Sequence, residues 1–128
     1  MKEWQTILET YRRIENDSRQ AILATVVDVK GSSYRLPGAR MLIDENGRSV
    51  GTVSGGCLEA DVLEHAERVL KTNAPTIITY DTTKSDDSIF GLGMGCRGVI
   101  RVLLEPARDN RLFEFWRECF EQRRRDFR

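Results

Sequence analysis

Residues 21–30, Ala-Ile-Leu-Ala-Thr-Val-Val-Asp-Val-Lys, are rich in β-branched side chains and almost unbroken in hydrophobicity. A run of that kind has no polar face to turn to water, so it reads as a buried central strand. Trp4, Ile7, Leu8, Tyr11 and Ile14 recur at helical spacing and predict a first helix packed on one face only. Residues 40–44 and 48–53 read as short strands separated by Glu45-Asn46-Gly47, in which Asn-Gly is a strong hairpin signal. A helix follows over roughly 57–72, with Leu58, Val62, Ala66 and Val69 as its buried stripe. Thr76 to Asp81 and Val99 to Leu104 read as further strands. A last helix from about Asn110 is expected to bury Leu112, Phe115, Trp116, Cys119 and Phe120 on one face. This order predicts a single α/β domain over residues 1–128, a mixed β-sheet of about five strands with helices packed against it.

Composition narrows the function. Of the residues, 40% are hydrophobic and 31% charged, enough apolar surface for a core. Lys+Arg and Asp+Glu both count 20, and a formal net charge of zero argues against a nucleic-acid or membrane-surface partner. No stretch approaches the ~18 apolar residues of a membrane span. The N-terminus runs straight into an amphipathic pattern without a signal-peptide core. Three widely spaced cysteines with no CxxC fit a reducing compartment, so a cytoplasmic location is expected. The charged ending from Gln122 to Arg128 reads as a solvated terminus, or as an exit toward a second domain.

Three glycine-rich segments stand beside the strands: Gly31-Ser-Ser-Tyr-Arg-Leu-Pro-Gly38, Ser54-Gly-Gly-Cys57 and Gly91-Leu-Gly-Met-Gly-Cys-Arg-Gly98. Glycine lets the main chain approach a ligand closely. The Ser54–Cys57 segment also precedes a helix, where free N–H groups and the helix dipole favour an anion such as phosphate. Arg35, Arg40 and Arg97 lie in or beside these segments and supply charge-assisted donors. Cys57 at a helix start and Cys96 beside Arg97 both stand where thiolate is favoured, whereas Cys119 reads as a small buried hydrophobe. Together Cys57 and Cys96 look like soft ligands or a thiol pair. The plainer reading is that the glycines make turns and the arginines cover surface.

Glu59 falls in the first turn of the second helix, where it either bonds back to a preceding backbone N–H or reaches into the site. Cys57, Asp61 and His65 follow one another at helical spacing, but Asp61 with His65 is more often a surface pair than a metal set. A lone histidine and no Ser/His/Asp set argue against hydrolysis. The Gly91–Gly98 segment precedes a strand rather than opening a helix, so it is not a dinucleotide fingerprint.

Val29-Lys-Gly-Ser-Ser-Tyr-Arg-Leu-Pro-Gly-Ala-Arg40, Gly51-Thr-Val-Ser-Gly-Gly-Cys-Leu-Glu59 and Gly93-Met-Gly-Cys-Arg-Gly98, closing in Leu103-Leu-Glu-Pro106, closely resemble the N-terminal domain of the XdhC/CoxI family of xanthine dehydrogenase accessory proteins. The resemblance runs over roughly 5–110. It implies an accessory chaperone, not an enzyme, that protects the molybdenum cofactor (molybdopterin or its dinucleotide form) and hands it to a xanthine dehydrogenase-class molybdoenzyme. Ser54, Gly55, Gly56, Cys57 and Glu59 match the family's serine-glycine-glycine-cysteine segment, and Cys96 matches the cysteine of its later loop. Arg97 stands where the family has a glycine. With Arg35 and Arg40, these are the expected cofactor-binding residues; Cys57 and Cys96 are expected near molybdenum, and no direct metal ligand is assigned. Typical members continue into a Rossmann-type domain, which is expected to be missing here, so that the chain is a stand-alone or truncated form or has that domain on a separate chain. A separate chain carrying that domain, a sulfurase and a second copy of this chain are further candidate partners. The alternative is a thiol-dependent sulfur-transfer or redox protein using Cys57 and Cys96. A third reading is a domain that only docks on a dehydrogenase through its loops.

Overall fold

The computed structural model describes residues 2–31, 37–53, 58–81, 98–108, 114–116, 118–119 and 121–122. The elements run α1 (Lys2–Asn16), β1 (Ala21–Gly31), β2 (Arg40–Asp44), β3 (Ser49–Gly51), α2 (Glu59–Thr72), β4 (Thr76–Asp81) and β5 (Gly98–Pro106). Further helical backbone is found at 114–116, 118–119 and 121–122.

The strands form one five-stranded sheet in the order β3-β2-β1-β5-β4, with the apolar strand β1 at its centre. The single α/β domain expected from the sequence is therefore observed. Where a mixed sheet was expected, every strand pair is antiparallel. The reason is topological. The helical crossover β3-α2-β4 joins strands that run the same way, but it carries the chain from one edge of the sheet to the other, so the two never become neighbours.

Each face of the sheet has its own core. On one, α2 lays Val62, Ala66 and Val69 against Ile22, Ala24, Met41, Ile100 and their neighbours, with Leu58 at the helix start. Each such side chain stabilises the fold by roughly 1.5–3 kcal/mol when fully buried, with alanine contributing less. On the other, Ile7, Leu8, Tyr11 and Ile14 of α1 pack on Leu23 and Leu42. Strand parity makes the division: Met41 and Ile43 turn to α2 while Leu42 between them turns to α1.

Local chemistry ends the elements where the sequence places the breaks. Asn73 adopts a left-handed conformation (φ 55°) and donates its N–H to the Val69 carbonyl, closing α2 two residues before Pro75. At the β2–β3 turn, Asp44 Oδ1 accepts the N–H groups of Asn46 and Arg48, each at 2.9 Å. The last helical stretch differs from expectation. Phe115 is 60% exposed and Cys119 is exposed, and among the described residues only Trp116 packs on the core. Leu112 and Phe120 lie outside the described residues. No helix among the described residues is long and apolar enough to cross a membrane.

Candidate functional site

Antiparallel pairing decides which connections share an end of the sheet. β1 ends at Gly31 opposite Gly98, where β5 begins. β4 ends at Asp81 opposite Val99. β2 begins at Arg40 opposite Thr25, and β3 ends at Gly51 opposite Met41. The connections 32–39, 52–58 and 82–97, which hold all three glycine-rich segments, therefore attach at the same end. Ser54, Gly55, Gly56, Cys57, Cys96, Arg97 and Arg35 lie outside the described residues; Glu59 and Arg40 lie within them.

Glu59 is the first residue of α2, and its carboxylate reaches back along the chain. Oε1 accepts the Thr52 hydroxyl at 2.6 Å and the Val53 N–H at 3.2 Å. Glu59 thus bonds to a preceding backbone N–H, six residues upstream. The carboxylate thereby ties the chain before the Ser54–Cys57 segment to the helix after it. Leu58, at the N-cap position, makes no side-chain capping bond, so no side chain at that position covers the first-turn N–H groups of α2.

Two residues after Glu59, in the same turn, Asp61 Oδ2 accepts the Tyr80 hydroxyl at 2.6 Å and stands 3.3 Å from His65 Nε2. The Asp61–His65 pair read from the sequence is present; Tyr80, from β4, is the member that sequence reasoning missed. Burial, reinforced by the bond to Asp61, pushes the Tyr80 phenol far above its ordinary pKa. The contact clamps the start of α2 to β4 one residue before that strand ends. Alternation along β4, with Ile78 and Tyr80 on the α2 side, was the available signal, but nothing local to either residue names the partner.

Arg40 sits on the other face of the sheet. Its guanidinium lies 4.3 Å from the centre of the Trp4 ring and 4.7 Å from that of Trp116, and it donates to the Gly38 carbonyl at 2.8 Å. Arg40 Nε is buried without a hydrogen-bond partner among the described residues, and desolvation lowers the guanidinium pKa against the opposing pull of Glu105. Arg40 and Glu59 thus lie on opposite faces: one pins the return of the first glycine-rich connection, the other the entry to the second. Among the described residues no three His, Cys, Asp or Glu side chains are grouped to hold a metal ion. The geometry suits a site assembled from loops, with amide donors at a helix start and its acidic neighbours already engaged.

The chain is similar to known proteins over most of its length. The model of the XdhC and CoxI family matches residues 15–81. A probable xanthine dehydrogenase subunit of Bacillus subtilis is 38% identical over 121 residues, which are 93% of this chain and 36% of that protein. A molybdenum cofactor insertion chaperone, PaoD, of Escherichia coli is 31% identical over 104 residues, 81% of this chain and 32% of that protein. The crystal structure of a xanthine dehydrogenase from Bacillus halodurans superposes with a TM-score of 0.68 at 38% identity, covering 84% of this chain and 34% of that one. The chain spans about a third of the length of these relatives.

Proposed function

The chain belongs to the XdhC and CoxI family, and on that premise we propose that it is a molybdenum cofactor-binding accessory domain that delivers the cofactor to a xanthine dehydrogenase-class enzyme. The observation that carries the proposal is the attachment of all three glycine-rich connections, with Cys57 and Cys96 in two of them, to one end of the sheet. The N–H groups at the start of α2, with those of Gly55 and Gly56, hold the phosphate of the pterin; Ser54, Arg35 and Arg97 add polar and charged donors. Cys57 and Cys96 face the molybdenum end as soft neighbours. When bound, the cofactor supplies a dithiolene-held molybdenum centre, which the domain shields and releases without turnover of its own.

The donor set fits such a group. The two acids of the first turn, Glu59 and Asp61, are both engaged by protein partners, which lessens their opposition to an incoming anion. Glu59 acts as a positioning residue by holding Thr52 and Val53, and Arg40 does the same for the return of the first connection.

Incubating the chain anaerobically with cofactor released from a molybdoenzyme, then measuring retained molybdenum by mass spectrometry and pterin by fluorescence, tests the reading. Retention near one equivalent is expected, falling at least about tenfold, or ~1.4 kcal/mol, in Cys57→Ala. No retention overturns the proposal, and retention undiminished in both Cys57→Ala and Cys96→Ala removes the cysteines from it.

A further inference from the structure

At the end of the sheet away from the glycine-rich connections, a hollow of about 280 Å³ opens between the C-terminal half of α1 and the β2–β3 hairpin. Arg13, Arg19 and Arg48 line it together with Thr10 and Ser49, over an apolar floor that includes Ile14 and Leu42. In a chain of zero net charge, three guanidinium groups around one cavity call for a counter-charge. Among the described residues the only carboxylate in the lining is Asp44, and it is already committed. Its Oδ1 accepts two backbone N–H groups of the hairpin, and its Oδ2 lies 3.4 Å from Arg19 Nη1. Arg19 Nη2 reaches the exposed Asp17 at 3.3 Å. That leaves Arg19 Nε buried with no hydrogen-bond partner, while the guanidinium groups of Arg13 and Arg48 make no hydrogen bond or ion pair among the described residues.

Arg13 and Arg48 therefore bring unsatisfied guanidinium donors to the hollow beside Arg19, and the lining holds no uncommitted carboxylate for them among the described residues. Guanidinium forks match the edges of a tetrahedral oxyanion, and two hydroxyls beside them suit its remaining oxygens. We propose that this hollow binds a small phosphomonoester, through Arg13, Arg19 and Arg48, at a site separate from that of the cofactor. Asp44 holds Arg19 in place and sets the hairpin that presents Arg48.

The test is calorimetric titration of the full chain with inorganic phosphate and with glycerol phosphate at constant ionic strength, succinate serving as a planar dicarboxylate control. Saturable one-to-one binding in the millimolar range or tighter is expected for both phosphates, weakened at least about tenfold when Arg13→Ala and Arg48→Ala are combined. Arg13 lies in α1 and Arg48 in the β2–β3 turn, and both are exposed, so the double variant is expected to keep the circular dichroism of the parent. Absence of saturable binding, unchanged affinity in the folded double variant, or equal affinity for succinate overturns the proposal. Cofactor retention is read separately, so neither experiment decides the other.

Discussion

Gly51 shows how one residue without a side chain can hold two elements in contact. It ends β3 with φ 83°, in the left-handed region, and a Cβ built there runs into the carbonyl oxygen of Arg40 and approaches Ile7 Cδ1 at 3.3 Å. The strand edge, the backbone of Arg40 and α1 therefore meet at a point with room for hydrogen alone. Gly47 shares the left-handed conformation (φ 82°), yet an added Cβ there meets nothing within 4 Å. The pair separates conformational strain from steric exclusion. Gly47→Ala is expected to cost about 1 kcal/mol, the strain of φ alone, and Gly51→Ala at least about 2–3 kcal/mol. Urea unfolding of the two variants measures the difference; equal midpoints would show that β3 moves aside freely and that the close approach is not a constraint.

At the scale of elements, the join between α2 and β4 rests on a proton. Tyr80 keeps its phenolic hydrogen because burial and the Asp61 carboxylate both penalise the phenolate, so its folded pKa lies above the unfolded value of about 10. A raised folded pKa means the associated stability is complete below pH ~10 and declines as pH rises beyond it, because the unfolded chain releases a proton that the folded chain retains. The melting temperature is therefore expected to fall more steeply between pH 9 and 11 in the parent than in Tyr80→Phe. At neutral pH that variant is less stable by about 1–2 kcal/mol, the worth of a hydrogen bond to a partly exposed carboxylate. Parallel pH profiles would disprove the assignment. This join also marks how far the sequence could be read. The stripe Leu58, Val62, Ala66, Val69 was legible because periodicity within one helix is local information, and the same side chains are buried. The centrality of β1 was legible because a strand apolar throughout has few other places to lie. The Tyr80–Asp61 bond spans 19 residues and has no periodic signature. Neither has the placement of Arg40 opposite Glu59: parity separates Arg40 from Met41, but only the strand order shows which face each helix covers. The C-terminal stripe was legible only in part for a related reason. Helical spacing groups Phe115, Trp116 and Cys119, yet of these three described residues only Trp116, which meets Trp4 and Arg40, packs on the core.

The whole molecule is polar in the geometric sense, with different chemistry at its two ends. Five antiparallel strands send the connections 32–39, 52–58 and 82–97 to one end, and the 45–48 turn, the 73–75 link and the α1–β1 link to the other. β1 and β5 carry their pairing from Thr25 out to Gly31 beyond the start of β2, a ribbon of about 20 Å at ~3.3 Å per residue. The proposed cofactor site and the arginine-lined hollow are thus held apart by the length of the central strand, with two closely packed cores between them. If the two sites are what their chemistry indicates, their ligands leave separate footprints on the same backbone. Amide hydrogen exchange followed by mass spectrometry reads these footprints without mutation. Loading with the cofactor is expected to slow exchange at 52–60 and around the paired ends of β1 and β5, by tenfold or more for ~1.4 kcal/mol of local stabilisation, while peptides covering 44–49 stay unchanged. Phosphate should do the reverse, protecting 44–49 and the C-terminal half of α1. Because a rigid sheet between the sites has only one arrangement in which both cores are packed, the two protections should add when both ligands are present. Cofactor-induced protection at the 44–49 hairpin, or a uniform slowing across the chain, would place the cofactor elsewhere and dissolve the division of the molecule into two working ends.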